Sequence, residues 1–401
     1  MMATDGALSD IKVLDITHYI AGPYCTKLLA DYGADVIKVE QPGSGDGARR
    51  LGPFPEDMPH PDRSGMFLYL NTNKRGISLD LKTSTGLRIL KELAKSADIL
   101  VENYAPGVME RLGLSYKVLE EINPGLVMVS ISNFGQTGPY RDFKASDLVL
   151  YGMGGILYIS GSYDKEPLKH GLAQAAYWGG EVAAMAALVG LYYQRETGIG
   201  QHADVSVQEA VASGQLRRTA DYAFTGSVLR RQPKGGGSLA ENVMPCSDGY
   251  VIPVVGGHGD WHTFAMFAEL PELLDEKYST PAGRVLHAQE INQLLRSRFS
   301  TMSKLEVFHN AQAWGFPFGL AQTTEDLYNC PQLAERDFFV EIECPGYGML
   351  KVPGATFKMT GTPFSIRRQA PKLGEHNSEI YRERLGFGPK ELTILRERGI
   401  I

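Results

Sequence analysis

The sequence predicts an α/β protein, with a doubly wound parallel sheet in its N-terminal half and a smaller α+β segment after it. Three observations lead there. Short β-branched runs alternate with stretches whose apolar residues recur at helical spacing, the pattern of strand–helix–strand units. A chain of 401 residues is too long for one compact core, so two domains are expected. The texture then changes to a basic, glycine-rich stretch from Arg217 to Gly237, which sets a boundary near residue 220.

Taken in order, Ile11 to Ile16 alternates and is rich in β-branched residues, as a strand does. Ala21-Gly22-Pro23 opens a helix, with Pro23 tolerated in its first turn, and Gly33 ends it. Ala34 to Val39 is a second strand, parallel to the first through a right-handed crossover. Gly76 to Leu81 reads as a strand, and Ser84 caps a helix running to about Lys95. Asp98 to Val101 is a strand ending at Glu102-Asn103-Tyr104. Tyr116 to Ile122 is a short helix, and Leu126 to Ser132 a strand ending in Asn133 to Pro139. Ligands in such sheets sit beyond the carboxyl ends of the strands, which here are His18 to Gly22, Glu102 to Tyr104 and Asn133 to Pro139.

An apolar helix is expected over Glu181 to Tyr193, with Glu181 at its start as a partner of the helix dipole. Another follows from about Gln208. The segment to about 325 reads as α+β, with a strand over Tyr250 to Val255 and helices around His262 to Leu270 and Ala288 to Phe299. Strand-like stretches return from Glu341 onward.

Composition narrows the function. With 43% hydrophobic and 21% charged residues, the chain is an ordinary globular protein. A net charge of −6 argues against nucleic acid as a partner, because phosphate neutralisation needs a basic face. Four cysteines without C-x-x-C spacing or clustered histidines suggest neither a metal site nor a disulfide framework. Met1 to Asp10 lacks the pattern of a secretory signal. The longest apolar run, within Val182 to Tyr193, is well short of the ~20 residues a bilayer requires, so no membrane association and a cytoplasmic location are expected. There is no G-x-S-x-G elbow, H-E-x-x-H helix or G-x-x-x-x-G-K-[ST] loop.

The motifs that remain form an ordered series. Ala21-Gly22-Pro23-Tyr24-Cys25 is followed by Gly33-Ala34-Asp35-Val36-Ile37-Lys38-Val39-Glu40, then by Asn71-Thr72-Asn73-Lys74-Arg75. Next come Leu79-Asp80-Leu81-Lys82, Val101 to Gly107, and Phe134 to Pro139. Lys144-Ala145-Ser146-Asp147, Gly179-Gly180 and Leu373-Gly374-Glu375-His376 complete it. This series resembles the class III CoA-transferases over nearly the whole chain. The resemblance implies an interlocked dimer. It also implies a large domain at 1–220 completed by 326–401, with the small α+β domain at 221–325. Coenzyme A or an acyl-CoA is the implied substrate, together with a carboxylic acid. CoA would lie along Ala21, Leu79, Lys82, Asn103, Tyr104, Arg111 and Lys144, with Asp147 supporting the site. Lys82, Arg111 and Lys144 suit its phosphates chemically. Gly235-Gly236-Gly237 resembles the family's mobile glycine lid.

One position departs from the pattern. Active members carry a nucleophilic carboxylate a few residues before the Gly-Gly pair, and here Ala176 stands in its place; a methyl group cannot supply the attacking oxygen. The racemase branch fails as well, since Ser146 replaces the histidine before Asp147. Three readings stay open. The first is a non-catalytic subunit of a heteromeric CoA-transferase, a heterodimer or heterotetramer with a homologous catalytic subunit. Such enzymes include one of anaerobic aromatic degradation that moves CoA from succinyl-CoA to benzylsuccinate, and Tyr151, Tyr158, Tyr177 and Trp178 would suit its aromatic acid. The second is an engineered Asp-to-Ala variant of an active homodimer, and the third a non-catalytic CoA-binding or regulatory protein.

Overall fold

The structure, a computed structural model, describes residues 6–231, 243–254 and 260–401. Its contacts divide into two units. One comprises Met1–Tyr158, Lys169–Leu229 and Arg336–Ile401, the other Ile159–Leu168 and Arg230–Glu335.

Among the described residues, six strands of the large unit form one sheet: β1 (Lys12–Asp15), β2 (Asp35–Glu40), β3 (Lys74–Ser78), β4 (Ile99–Glu102), β5 (Val127–Ser132) and β6 (Gln201–Ser206). Every pairing is parallel, in the order β3-β2-β1-β4-β5-β6. The order reverses between β1 and β4, and that switch point is where a doubly wound sheet opens a crevice. Alternate strand residues feed two apolar layers. Leu14, Ile37, Leu100 and Met128 belong to one, and Val13, Val36, Val101 and Val129 to the other. The C-terminal segment joins the first through Ile380, Tyr381, Leu392 and Leu395, and the Tyr381 hydroxyl donates to the Ser78 carbonyl at 2.7 Å.

The helices of this unit up to Thr225 are α1 (Ala21–Asp31), α2 (Gly65–Leu70), α3 (Ser84–Ala94), α4 (Val108–Arg111), α5 (Tyr116–Ile122), α6 (Asp147–Met153), α7 (Gln174–Thr197), α8 (Val207–Ser213) and α9 (Leu216–Thr225). The cap of α3 is Thr83, whose hydroxyl accepts from Gly86 N–H at 3.0 Å, not Ser84. Thr83 keeps extended backbone while Ser84 is already helical, and only the extended residue can fold its hydroxyl back over the first turn.

Helix α7 also departs from expectation, starting at Gln174 instead of Glu181. Glycine weakens a helix by about 1 kcal/mol, yet here both Gly179 and Gly180 permit close packing. A Cβ on Gly179 would fall 2.8 Å from Val207 Cγ2, and one on Gly180 would fall 2.6 Å from the Ala21 carbonyl oxygen. Tertiary contact therefore overrides propensity. Glu181 lies two turns inside α7 and is no dipole partner, since that effect fades beyond the first turn.

The small unit contains β7 (Met244–Cys246), β8 (Gly249–Ile252) and β9 (Gly319–Leu320), paired antiparallel. Helices Trp261–Ala268 and Ala288–Phe299 pack on a core rich in phenylalanine, including Phe264, Phe267, Phe299, Phe316 and Phe318. β10 (Phe339–Cys344) and β11 (Gly348–Pro353), in the large unit, form an antiparallel hairpin. Gly235, Gly236 and Gly237 lie outside the described residues. Among the described residues no helix is long and apolar enough to cross a membrane.

Candidate functional site

A cavity of about 780 Å³ opens where the loops after β1, β4 and β5 meet the start of α7, wholly within the large unit. Its wall is set from below by buried charge. Asp15 ends β1 with no exposure. Its carboxylate accepts from the Thr26 hydroxyl at 2.6 Å and the Lys74 ammonium at 3.0 Å. Burial opposes its ionisation, but Lys38, Lys74 and the hydroxyls of Thr17 and Thr26 hold its carboxyl well below the usual range. Lys38 pairs with Asp46 at 2.8 Å and donates to the Thr17 carbonyl at 3.0 Å. Burial draws the Lys74 ammonium down to about 8, against the pull of Asp15. Charges this deep need partners and hydrogen bonds, and satisfying them fixes the loop that leads to Tyr19, Ile20 and Ala21 on the cavity wall.

Asn103 fixes the same loop from the other side. Its side-chain oxygen accepts from His18 N–H at 2.8 Å, and its amide donates to the His18 carbonyl at 2.8 Å. Next to it, Glu102 is buried at the end of β4 and accepts from Tyr104 N–H at 2.7 Å. Burial pushes its carboxyl up to about 7, in spite of a hydrogen bond from Ser130.

The third wall begins with Ser146, whose hydroxyl caps α6. This places Asp147 in the first turn of α6, where its Oδ1 accepts from the Ala176 N–H at 3.2 Å. Its Oδ2 lies 2.9 Å from the Lys169 ammonium. Ala176 is in the first turn of α7, whose own N-cap, Ala173, offers no side-chain acceptor.

The cavity thus brings together Ala21, Asn103, Tyr104, Lys144, Asp147 and Ala176 from the sequence-derived set, and leaves out Leu79, Lys82 and Arg111. Leu79 is buried in the core, Lys82 is exposed on the loop entering α3, and Arg111 ends the short α4. Tyr151, Tyr158, Tyr177 and Trp178 are not among the residues that line this cavity. Tyr151 is fully buried, stacks on Trp178 and holds His170 Nδ1 at 2.6 Å, while Tyr177 packs edge-on against Tyr24. Sequence reasoning missed Tyr19, Arg141 and Phe143, which do line it. The positions of Arg141 and Phe143 just before Lys144 were an available signal; for Tyr19 there was none beyond its place at a strand end.

The arrangement offers a groove with cations on one loop and an acid beside a helix N-terminus, with the Ala176 methyl on the same wall. Comparison with known proteins shows the family. The profile of CoA-transferase family III matches residues 8–377. A formyl-CoA:oxalate CoA-transferase of Streptomyces avermitilis is 36% identical over 415 residues, covering 98% of this chain and 99% of that protein. The succinyl-CoA–L-malate CoA-transferase beta subunit of Chloroflexus aurantiacus is 32% identical over 411 residues, covering 98% of each. The crystal structure of a CAIB/BAIF family protein from Brucella suis superposes with a TM-score of 0.86 at 29% identity, covering 95% of this chain and 100% of that one. Fold, motif order and relatives agree, and the chain belongs to CoA-transferase family III.

Proposed function

We propose that this chain is the non-nucleophilic subunit of a heteromeric CoA-transferase, assembled with a homologous chain that carries a carboxylate at the position of Ala176. The single observation that carries this reading is the Ala176 methyl on the wall of an otherwise complete groove. The beta-subunit relative supports it by analogy. The groove holds CoA along Ala21, Tyr104 and Lys144, with Lys144 near the phosphates; Lys82 and Arg111 meet the parts of CoA that extend past the cavity.

In the assembled enzyme the partner's carboxylate oxygen bonds to the acyl carbon of the donor as the C–S bond breaks, releasing CoA thiolate and leaving a mixed anhydride. The thiolate then attacks the enzyme's acyl carbon, expelling the donor acid and leaving an enzyme-bound thioester. The acceptor acid repeats both steps in reverse, so the carboxylate is regenerated and no oxidant or metal is consumed. Acceptors to assay first with succinyl-CoA are benzylsuccinate, glutarate and oxalate. Purification from the native source tests the assembly. We expect a second, related chain bearing the carboxylate to accompany this one; a homodimer of this chain that turns over alone would overturn the proposal.

A further inference from the structure

Two guanidinium groups converge on Gly107. This glycine ends the loop after β4 and stands just before the short α4, with φ +80°. Arg111 lies one turn later, its N–H donating to the Gly107 carbonyl at 3.2 Å, and helical side chains lean back toward the N-terminus. Its guanidinium therefore returns toward Gly107, while Arg141 reaches the same place from the loop after β5. A Cβ built on Gly107 would fall 3.3 Å from Arg111 Nη1 and 3.8 Å from Arg141 Nη2. Among the described residues Arg111 has no ion pair or side-chain hydrogen bond, and Arg141 has only a contact of its Nε with the exposed Asp142, at 3.3 Å. Two like charges held over one glycine, with one exposed carboxylate to offset them, leave both room and charge for an anion.

We propose that Arg141 is a further CoA-positioning residue, which with Arg111 holds the phosphomonoester of the CoA ribose over Gly107. This rests on the CoA-transferase reading above. Arg141 lines the cavity, whereas Gly107 and Arg111 do not, so the pair stands at the cavity's edge, where a long ligand leaves it. A phosphomonoester carries about 1.5–2 negative charges at neutral pH and three acceptor oxygens, which suits two guanidinium forks. The pyrophosphate carries its charge one to each phosphate, and Lys144, a single ammonium on the same cavity wall, is the simpler match for it. Glycine is needed at 107 on two counts. Its left-handed backbone strains any side chain, and a Cβ would occupy the space the two guanidiniums share.

The test titrates the purified full chain by calorimetry with CoA and with dephospho-CoA, which lacks only that phosphomonoester and keeps the pyrophosphate. The unmodified chain should bind CoA about ten- to a hundredfold more tightly, the range of a charge-assisted contact. Arg141→Ala should lose most of that discrimination by weakening CoA alone, with dephospho-CoA affinity and melting temperature unchanged. Arg141→Lys should keep part of it, because an ammonium lacks the fork. Arg111→Ala should act in the same sense, and the two losses should not add, as for residues that share one group. Equal weakening of CoA and dephospho-CoA by Arg141→Ala, or equal affinities in the unmodified chain, overturns the proposal and leaves CoA in the groove. Failure of the CoA reading has a separate signature, no affinity for either ligand, and overturns both.

Discussion

The backbone N–H of Ala176 donates to Asp147 Oδ1 across 3.2 Å, joining the first turn of α7 to the first turn of α6. Asp147 therefore supplies the cap that Ala173 cannot, and places a carboxylate at the positive end of a 24-residue helix. The acid beside Ala176 has a structural task of its own.

Replacing it should show both parts of that task. Asp147→Ala removes the cap and leaves the Lys169 ammonium without its carboxylate, and should destabilise the fold by about 0.5–2 kcal/mol. Asp147→Asn retains an acceptor for the Ala176 N–H and should cost less. Urea unfolding of the two variants decides; equal losses would mean that the cap contributes nothing.

Glu102 should give stability a pH dependence of its own. Its carboxyl is raised by burial from 4.5 to about 7 in the folded chain, so between these values the folded state binds the proton and the unfolded state has lost it. The stabilisation is complete below pH 4.5 and is lost as pH rises through about 7, a change on the order of 3 kcal/mol. Glu102→Gln, still able to accept from Tyr104, should remove that slope and gain relative stability as pH increases. Parallel stability–pH curves for the two proteins would contradict the shift.

The groove makes a graded prediction for CoA. Lys144→Ala should weaken CoA binding by about 1.5–3 kcal/mol, as for a lost charge-assisted hydrogen bond. Lys82→Ala should cost less, because Lys82 lies off the cavity wall while Lys144 lines it. Calorimetry with free CoA measures both, and an unaffected Lys144→Ala variant would remove CoA from this groove.

Much of this was legible in the sequence because it is written in local pattern. The short β-branched runs that mark β1, β2, β4 and β5 follow from strands that are almost wholly buried, β4 and β5 along their whole length. What escaped depends on contacts distant along the chain. Helix α7 runs through Gly179 and Gly180 because Val207 and the Ala21 carbonyl pack against them, contacts that no local pattern shows. Asn103 lines the cavity, but the hold its amide takes on the His18 backbone has no local signal. Tyr151 and Trp178 stack on each other, the first buried and the second half-buried against the core, and the left-handed conformation of Tyr19 has no signature in residue type at all.

The central claim, that this chain cannot form the covalent intermediate itself, is tested most directly by hydroxylamine trapping. The purified chain is incubated with succinyl-CoA, quenched with hydroxylamine and analysed by mass spectrometry for modification at residue 176 and elsewhere. The unmodified chain should show no adduct, and Ala176→Asp should show one at the introduced carboxylate. An acyl adduct on the unmodified chain, at Asp147 or any other carboxylate, would contradict the account.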